Sequence, residues 1–189
     1  DNLSKKTNKK TYQELMFEVA ELNYHKEHCP IFFSKSDKEY VKSFSENNKL
    51  SYPLIGIHIG SSPRWPSKAW HEEEIKKFIK KSKEEGYEII LFAGPDETER
   101  HEKLSKEIVK QNITFLRNDP KNTVKEFSAL VNLCDIMVCG DSLALHISLA
   151  LKKPTVGLFF CTSPKEIEDY NLLKKLSSPN LYDFFPEKI

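Results

Sequence analysis

Short apolar runs alternate five times with helical patterns between Leu54 and Phe160. The runs begin near Leu54, Tyr87, Ile113, Asp135 and Thr155. Nearly continuous apolar strands that are separated by helices are typical of a parallel sheet with helices on both faces. The pattern therefore predicts an α/β fold, a Rossmann-like doubly wound parallel sheet with strand order 3-2-1-4-5 and right-handed crossovers.

The segments before and after this alternation do not share its pattern of strands and helices. Residues 1–51 begin with a polar, lysine-rich arm and continue with two segments of helical spacing, the first over residues 11–23. We expect them to form an arm and an inter-domain helical segment. Residues 52–164 form the predicted sheet domain, and residues 165–189 are expected to form a C-terminal helical tail.

Charge, hydropathy and cysteine content narrow the classes of function. Lysine and arginine total 29 against 28 aspartates and glutamates, and the net charge of +1 gives no support to bulk nucleic-acid binding. No apolar run approaches the roughly 18 residues that a membrane span needs, and no signal peptide is visible. The four cysteines form no C-x-x-C pair and are expected to be reduced thiols. These features predict a cytoplasmic protein.

Ligands of doubly wound sheets bind at the carboxyl ends of the strands, so the residues that follow each strand are the candidates for chemistry. Gly60, Ser61 and Ser62 follow the first strand and form either an anion-binding turn or a plain turn. Lys68 lies in the same loop, where its ammonium either neutralises a phosphate or is solvated.

The loops after the second and fourth strands carry carboxylates. Asp96 and Glu97 follow the second strand, where they either bind ligand hydroxyls, as an acidic residue binds a ribose in dinucleotide folds, or favour the next helix dipole. Asp141 and Ser142 lie at a predicted helix start, which either attracts phosphate or is simply capped. His146, one turn further, either faces the same end or is a core histidine.

Other motifs are less informative. His25, His28 and Cys29 have no fourth ligand at a suitable spacing, so a structural role is favoured over a metal site. The sequence contains no G-x-S-x-G, Walker A or G-x-G-x-x-G motif. Serine hydrolases, P-loop ATPases and standard NAD dehydrogenases are therefore not supported.

Five short motifs occur in a characteristic order along the sheet domain. They are Gly60-Ser61-Ser62, Lys68-Ala69-Trp70, Gly94-Pro95-Asp96-Glu97, Asp141-Ser142-Leu143-Ala144-Leu145-His146 and Pro154-Thr155-Val156-Gly157-Leu158-Phe159. Each motif is weak alone, but their order and spacing make the set specific. Over about residues 52–164, the chain resembles glycosyltransferase family 9, the heptosyltransferases of lipopolysaccharide core synthesis.

The resemblance implies a domain organisation larger than this chain. Members of the family are two-domain GT-B enzymes, and this chain resembles only their C-terminal, donor-binding half. The acceptor-binding half, which carries the catalytic aspartate of an inverting transfer, has no counterpart before Tyr52. Because the chain begins at Asp1, we expect a processed product or part of a longer protein. The implied partners are an ADP-heptose-like donor, a lipid-linked saccharide acceptor and the missing acceptor domain, with at most peripheral contact at the inner membrane.

By match to the family, one group of residues is implied to hold the phosphates of the donor. Ser61 and Ser62 would contact the phosphates, and Lys68 would neutralise the diphosphate or the sugar side as the leaving group departs. The backbone amides of Ser142 and Leu143 would hold phosphate at the helix start. Such enzymes are typically independent of metals, because a lysine and a helix dipole replace the cation, so no metal or cofactor is expected.

A second group is implied to hold the rest of the donor. Glu97 would bind the ribose, and Asn122 and Thr123 would lie at the adenine. Asp141 would bind the sugar hydroxyls, and His146 would support the loop that carries it.

Two departures from the family pattern touch the donor pocket. Leu143 replaces the glycine of the Asp-Ser/Thr-Gly motif, and a leucine side chain can crowd a phosphate or forbid a positive φ. Phe159-Phe160-Cys161-Thr162 replaces the usual Phe-Gly-Pro-Thr. Three alternatives to a heptosyltransferase donor half stay open: a non-catalytic nucleotide-sugar-binding module, a GT-B enzyme or epimerase that uses a UDP-sugar, and an assembly partner whose sheet domain only packs.

Overall fold

The computed structural model describes residues 7–61 and 65–179. The strands are β1 Leu54–His58, β2 Glu88–Phe92, β3 Leu116–Arg117, β4 Ile136–Gly140, β5 Thr155–Phe159 and β6 Leu173–Ser177. The helices are α1 Tyr12–Val19, α2 Lys35–Asn47, α3 Glu72–Glu84, α4 Thr98–Val109, α5 Val124–Val131 and α6 Leu143–Ala150. From β1 to β5 strands and helices alternate, which confirms the predicted α/β class.

In the described part of the chain, the strands form one sheet in which every neighbouring pair is parallel. Their order is β3-β2-β1-β4-β5-β6, so the predicted order of the first five strands is confirmed. Because successive strand residues face opposite sides of a sheet, the apolar side chains form two separate clusters. Residues of α5 and α6 pack into one cluster, and residues of α3 and α4 pack into the other. The Rossmann-like doubly wound sheet is therefore confirmed.

The sixth strand corrects the expectation of a C-terminal helical tail. The sequence predicted a helix from residue 165, but residues 173–177 form β6, an edge strand that pairs with β5. Leu173 is buried, whereas Lys174 is exposed. An edge strand needs only one apolar side against the core, and its lysines discourage pairing with other chains. The charged residues therefore masked the strand pattern. Residues 180–189 of the predicted tail lie outside the described residues.

Strand β3 is shorter than expected. The apolar run from Ile113 predicted a strand there, but only Leu116 and Arg117 pair with β2. Ile113 and Phe115 instead pack, partly buried, against the cluster that α3 and α4 cover. Apolar residues at the edge of a sheet can be buried without pairing their backbone, and periodicity alone does not separate the two cases.

The two N-terminal helices differ in what they cover. The predicted helix over residues 11–23 ends early, at Val19, and α1 has no buried residue. α2 has no buried residue either, but its partly buried Tyr40 and Phe44 pack against the cluster that α5 and α6 cover. This packing brings the Tyr40 hydroxyl to the carboxyl edge of the sheet, where Asn122 donates to it at 2.7 Å. Within the described residues no helix, α1 included, is long and apolar enough to cross a membrane.

All four cysteines lie within the described residues, and none of them forms a disulfide bond. Cys134, Cys139 and Cys161 are buried, and Cys29 is exposed. Burial raises the pKa of the Cys134 and Cys139 thiols far above its usual range, so both stay protonated and unreactive at neutral pH. These two cysteines act as small apolar residues of the core.

Candidate functional site

An ion pair lies where the loops after β1 and β4 meet. The Lys68 ammonium donates to Asp141 Oδ2 at 2.9 Å and to the carbonyl oxygen of Asp141 at 3.3 Å. Lys68 ends the 3-10 turn that starts at Pro66, and its Nζ stands 5.7 Å from the centre of the Trp65 ring. The two charged side chains are only 18% and 17% exposed. Shelter from water strengthens their attraction, so a ligand that binds one charge must compete with the other.

Gly140 allows these two loops to approach each other. It is the last residue of β4, and a Cβ atom built on it would lie 3.3 Å from the carbonyl oxygen of Lys68. That distance is tighter than ordinary packing, so a larger residue would push the Lys68 turn outward. The glycine before Asp141 therefore helps to hold the ion pair together.

The start of α6 lies next to Asp141. Ser142 is the N-cap residue, with φ and ψ of −149° and 176°, and its side chain makes no capping hydrogen bond to the first turn. Leu143 is the first helical residue, is 58% exposed and does not have a positive φ. The expected conflict between a leucine and a positive φ therefore does not arise in this backbone.

His146 is exposed on the second turn of α6, so it is not the core histidine that one interpretation predicted. Among the described residues its ring makes no hydrogen bond to Asp141 or Ser142. The structure thus brings Lys68, Asp141 and Ser142 together, and it leaves His146 outside their hydrogen-bond network.

The loop after β2 presents Glu97. Its Oε2 accepts a hydrogen bond from the backbone amide of Gly94 at 3.0 Å, which closes the short turn between them. Glu97 and Ser61 both line an open groove of about 620 Å³ beside the ends of β1 and β2. Ser62 lies outside the described residues. Two of the predicted ligand-binding residues, from different loops, therefore share one groove.

Arg100 fixes the shape of that groove and was not anticipated from the sequence. Its guanidinium donates to the carbonyl oxygens of Ile59 at 2.7 Å and Trp70 at 2.6 Å, and to Glu72 Oε1 at 3.2 Å. One side chain thereby ties α4 to the loop after β1 and to the start of α3. Backbone carbonyls carry no residue-specific signal, so nothing in the sequence indicates these partners.

A small cavity opens between the ends of β1, β2 and β3 and the starts of α5 and α6. Its volume is about 100 Å³, below the roughly 300 Å³ of a typical site for a whole ligand, so it can take only part of one. Phe127 and Leu143 contribute apolar surface, and His58, Asn118 and Asn122 contribute polar edges. An apolar lining with a few placed polar groups suits a flat organic fragment.

Asn118 builds one wall of this cavity and was also missed in the sequence. It is 4% exposed, and its Oδ1 accepts from the Ala93 amide at 2.9 Å. Its Nδ2 donates to the carbonyl oxygens of Ala93 at 3.0 Å and Asp119 at 2.8 Å. The side chain therefore continues the pairing of β2 with β3 beyond the ends of both strands and fixes the loop that follows β3.

Asn122 and Thr123 lie on that loop, where the sequence predicted them to meet a ligand. Asn122 lines the cavity and donates to the Tyr40 hydroxyl. Thr123 is the N-cap of α5 and forms a capping box with Glu126, whose amide donates to Thr123 Oγ1 at 3.2 Å. The Thr123 hydroxyl also donates to the Glu126 carboxylate at 2.9 Å, so its side chain is engaged by its own helix.

His58 joins the cavity to the start of α6 and was not predicted from the sequence to be a site residue. It is the last residue of β1, and its Nδ1 lies 3.4 Å from Ser142 Oγ. Its ring meets the Phe127 ring edge to face, with centres 5.7 Å apart. Burial lowers the pKa of His58 to about 4, so the imidazole is neutral at pH 7. The only sequence signal was a polar residue at the end of an apolar strand.

Within the described residues, no group of three or more His, Cys, Asp and Glu side chains could hold a metal ion. His28 instead stacks on Tyr170, with ring centres 4.2 Å apart. This contact supports the structural interpretation of the motif that contains His25 and His28.

The carboxyl edge of the sheet therefore has two chemically different ends. One end offers an ammonium, a carboxylate and a helix start that the Ser142 side chain leaves uncapped, which suits an anionic and hydroxylated group. The other end offers a small apolar cavity with amide and imidazole edges, which suits a flat ring. A ligand that carries both kinds of group can span the two.

Residues 7–183 match the family described as Glycosyltransferase family 9 (heptosyltransferase). Lipopolysaccharide heptosyltransferase 2 of Escherichia coli strain K12 is 27% identical over 137 residues, which cover 69% of this chain and 37% of that protein. Lipooligosaccharide heptosyltransferase 2 of Campylobacter jejuni serotype O:6 is 27% identical over 172 residues, which cover 79% and 52%. The chain spans about half or less of the length of these relatives.

Solved structures agree with the sequence match. A glycosyl transferase family 9 protein from Veillonella parvula superposes with a TM-score of 0.75 at 20% identity, over 94% of this chain and 52% of that one. E. coli ADP-heptose heptosyltransferase II superposes with a TM-score of 0.63 at 22% identity, over 84% and 50%. At these identities the likeness shows the fold, and about half of each neighbour is matched, as expected for one half of a GT-B fold. The family match covers most of the chain, and the chain therefore belongs to glycosyltransferase family 9.

Proposed function

We propose that this chain is the donor-binding half of a glycosyltransferase that moves a heptose-like sugar from an ADP-sugar to a lipopolysaccharide core acceptor. Family membership supports the reaction class, and two relatives are named heptosyltransferases. The observation that carries the proposal is the sheltered Lys68–Asp141 pair at the carboxyl edge of the sheet, directly beside the start of α6. This edge is where doubly wound sheets bind nucleotides.

The phosphate end of the donor is assigned to five residues. Lys68 neutralises the diphosphate, and the backbone amides of Ser142 and Leu143 donate to it at the positive end of the α6 dipole. Ser61 and Ser62 contact the phosphates from the loop after β1. Fixed donors that face the developing charge of the departing ADP stabilise the transition state, so these residues can replace a metal ion.

The sugar end is assigned to Asp141, which binds hydroxyl groups through its carboxylate. Because this carboxylate holds the Lys68 ammonium, binding of a donor divides the ion pair: the diphosphate takes Lys68 and the sugar hydroxyls take Asp141. A complete ADP-sugar replaces both halves of the pair, whereas ADP replaces only one.

The nucleoside end is assigned to the loops after β2 and β3. Glu97 accepts hydrogen bonds from the ribose hydroxyls, and the adenine ring enters the cavity beside Asn122 and Phe127. Thr123 acts through the helix start that it caps, since its hydroxyl is engaged with Glu126.

The reaction needs a base that lies within about 3 Å of the acceptor hydroxyl. We assign that base to a separate acceptor-binding half, and we place the whole enzyme in the cytoplasm, at most peripherally on the inner membrane, where a lipid-linked acceptor is reached. On this assignment the 189-residue chain binds donor and does not turn it over.

Calorimetric titration of the purified chain with ADP-heptose, ADP, UDP and adenosine tests the binding function. We expect ADP-heptose to bind more tightly than ADP, since it replaces both halves of the ion pair, and ADP to bind more tightly than UDP. Tighter binding of UDP would favour a UDP-sugar enzyme or epimerase. Absence of binding by all four ligands at millimolar concentrations would favour an assembly partner and contradict the proposal.

The catalytic part is tested by incubation of the chain with ADP-heptose and a lipid A-type acceptor. We expect no transfer of heptose, although the donor binds. Transfer above the level of a buffer control would show that the chain contains its own base, and the proposed division of labour between two halves would be wrong. Donor binding without transfer in any reconstituted enzyme would favour the non-catalytic module.

A further inference from the structure

Ser142 caps its helix differently from the other hydroxyl N-caps of the described α-helices. Thr11, Ser34 and Thr123 each accept a hydrogen bond from the third residue of their helix. This arrangement is the usual role of a serine or threonine at this position. The side chain of Ser142 makes no capping bond to α6, and its Oγ lies 3.4 Å from His58 Nδ1 instead.

His58 is held firmly enough to direct this hydroxyl. Its ring packs edge to face on Phe127, which packs in the same way on Phe92 at 5.3 Å. On the other side a Cβ atom built on Gly60 would lie only 2.5 Å from His58 Cε1, so the missing side chain leaves the space that the ring needs. The ring is neutral at pH 7 because burial lowers its pKa, so it can share one hydrogen bond with a hydroxyl without placing a charge beside Lys68.

The position of the Ser142 hydroxyl has a consequence for the first turn of α6. The amide of Leu145 bonds to the Ser142 carbonyl oxygen at 3.1 Å, and the Ser142 side chain makes no capping bond to the first turn. A hydroxyl that turned back onto the helix would accept from the amide of Ala144 or Leu145. It would then lie over the first turn, directly beside the Ser142 and Leu143 amides to which the phosphate is assigned.

We propose that His58 is a positioning residue of the donor site, which holds the Ser142 hydroxyl off the first turn of α6 and keeps the amides of that turn available to a diphosphate. The identity of the ligand rests on the proposed function, whereas the arrangement of Ser142 does not. His58 acts through Ser142 and does not need to touch the ligand.

Two substitutions separate this role from simple filling of space. His58→Asn keeps a hydrogen-bonding atom near the place of Nδ1, and His58→Leu keeps a side chain of similar bulk without one. We expect His58→Leu to weaken ADP binding about tenfold and adenosine binding less than twofold, since adenosine has no phosphate. We expect His58→Asn to retain most of the affinity for ADP. Equal losses for ADP and adenosine in both variants would overturn the proposal in favour of a cavity wall.

The Ser142→Ala background provides a second test. Without the hydroxyl nothing can turn back onto the helix, so His58→Leu is expected to change ADP affinity less than twofold in that background. A tenfold loss in both backgrounds would show that His58 does not act through Ser142.

Exchange of the backbone amides of α6 with solvent tests the positioning of Ser142 without any ligand. In His58→Leu the released hydroxyl should cap α6, and exchange of the Ala144 or Leu145 amide with solvent, followed by NMR, should slow at least threefold relative to wild type. His58→Asn should match wild type. Unchanged exchange in a folded His58→Leu protein would overturn the proposal whatever the chain binds. Slower exchange together with no ADP binding by wild type would leave the positioning of Ser142 standing and refute the proposed function instead.

Discussion

The two ends of the candidate site hold their side chains in different ways. At the cavity end, Asn118 pairs with main-chain groups and Phe127 packs among other rings, so neither needs to give up a partner when a ligand enters. At the ionic end, Lys68 and Asp141 have each other as partners. A ligand can enter the cavity end without displacing a contact, but at the ionic end it must separate Lys68 from Asp141. The cavity end therefore fixes geometry, and the ionic end responds to the charge of the ligand.

This difference bears on specificity. A sheltered ion pair favours ligands that supply both a replacement anion for the lysine and replacement donors for the carboxylate, because removal of only one partner leaves the other charge without compensation. A sugar nucleotide supplies both, and a free nucleotide supplies one. Under the proposed function, the site therefore favours the complete donor over the product of its transfer. Each of the following substitutions alters one end of the site or the border between the two ends.

The largest effect is expected from Asn118→Leu, which should remove the fixed geometry of the cavity end. The amide and carbonyl of Ala93 would both lose a buried partner, at about 1–3 kcal/mol for each group. We expect the free energy of unfolding in urea to fall by about 2–4 kcal/mol. The control is Asn132→Leu at the exposed end of α5, where a change within about 0.5 kcal/mol is expected. Equal effects of the two substitutions would mean that Asn118 is not a structural tie.

Lys68→Ala removes the cation of the ionic end. A charged hydrogen bond to phosphate is lost, and the Asp141 carboxylate is left to repel the ligand, so ADP binding should weaken by about 1–3 kcal/mol. Calorimetry should show no change for adenosine. Lys80→Ala removes the same charge from the exposed face of α3 and should leave both affinities unaltered. If Lys68→Ala leaves ADP-heptose affinity at the wild-type level, the donor binds elsewhere.

Asp141→Asn neutralises the anion of the ionic end. The affinities for ADP and for ADP-heptose should then change in opposite directions. With its competitor neutralised, Lys68 is free for phosphate, so ADP should bind roughly twofold to fivefold more tightly, the equivalent of up to about 1 kcal/mol. ADP-heptose should bind more weakly than it does to wild type, because its hydroxyls lose their acceptor. A parallel gain or loss for both ligands in calorimetry would show that the carboxylate does not distinguish sugar from phosphate.

The smallest effect is expected from Leu143→Gly, at the border between the two ends. The backbone at Leu143 is helical and its side chain is largely exposed, so the leucine imposes no strain that a glycine would relieve. We expect ADP affinity to be equal or slightly better, within about 0.5 kcal/mol, and stability to fall by no more than about 1 kcal/mol. A gain of tenfold or more in ADP affinity would show that the leucine crowds the phosphate. Leu143→Ala serves as the control for loss of bulk without added flexibility.

The sheet and the ionic end could be predicted because their signals are local. Each apolar strand is read from consecutive residues, and parallel strands bring their carboxyl ends to one edge, which placed Lys68, Asp141 and Ser142 together. Strand β6 was not predicted, because its lysines are typical of a solvated tail. An edge strand tolerates such residues. The helical character expected for His146 was correct, but its exposure depends on which face of α6 the sheet covers.

At the cavity end only Asn122 was predicted to line the site. The contacts of His58 and Asn118, like those of Arg100 in the neighbouring groove, could not be predicted, because their partners are distant in sequence and most are backbone groups. Ser142 is 84 positions from His58, and Arg100 binds carbonyl oxygens 30 and 41 positions away. Asn118 likewise binds the backbone of Ala93, 25 positions earlier. Any residue presents the same carbonyl and amide, so only the folded chain reveals these contacts.

A crystal structure of the chain with bound ADP tests the central claim, that the carboxyl edge of the sheet is the donor site, most directly. We expect the diphosphate within hydrogen-bond distance of Lys68 Nζ and of the first amides of α6, with Lys68 moved away from Asp141. We expect the adenine in the cavity beside Asn122 and Phe127. ADP bound at any other surface, or bound here with the Lys68–Asp141 pair still intact at 2.9 Å, would contradict the claim.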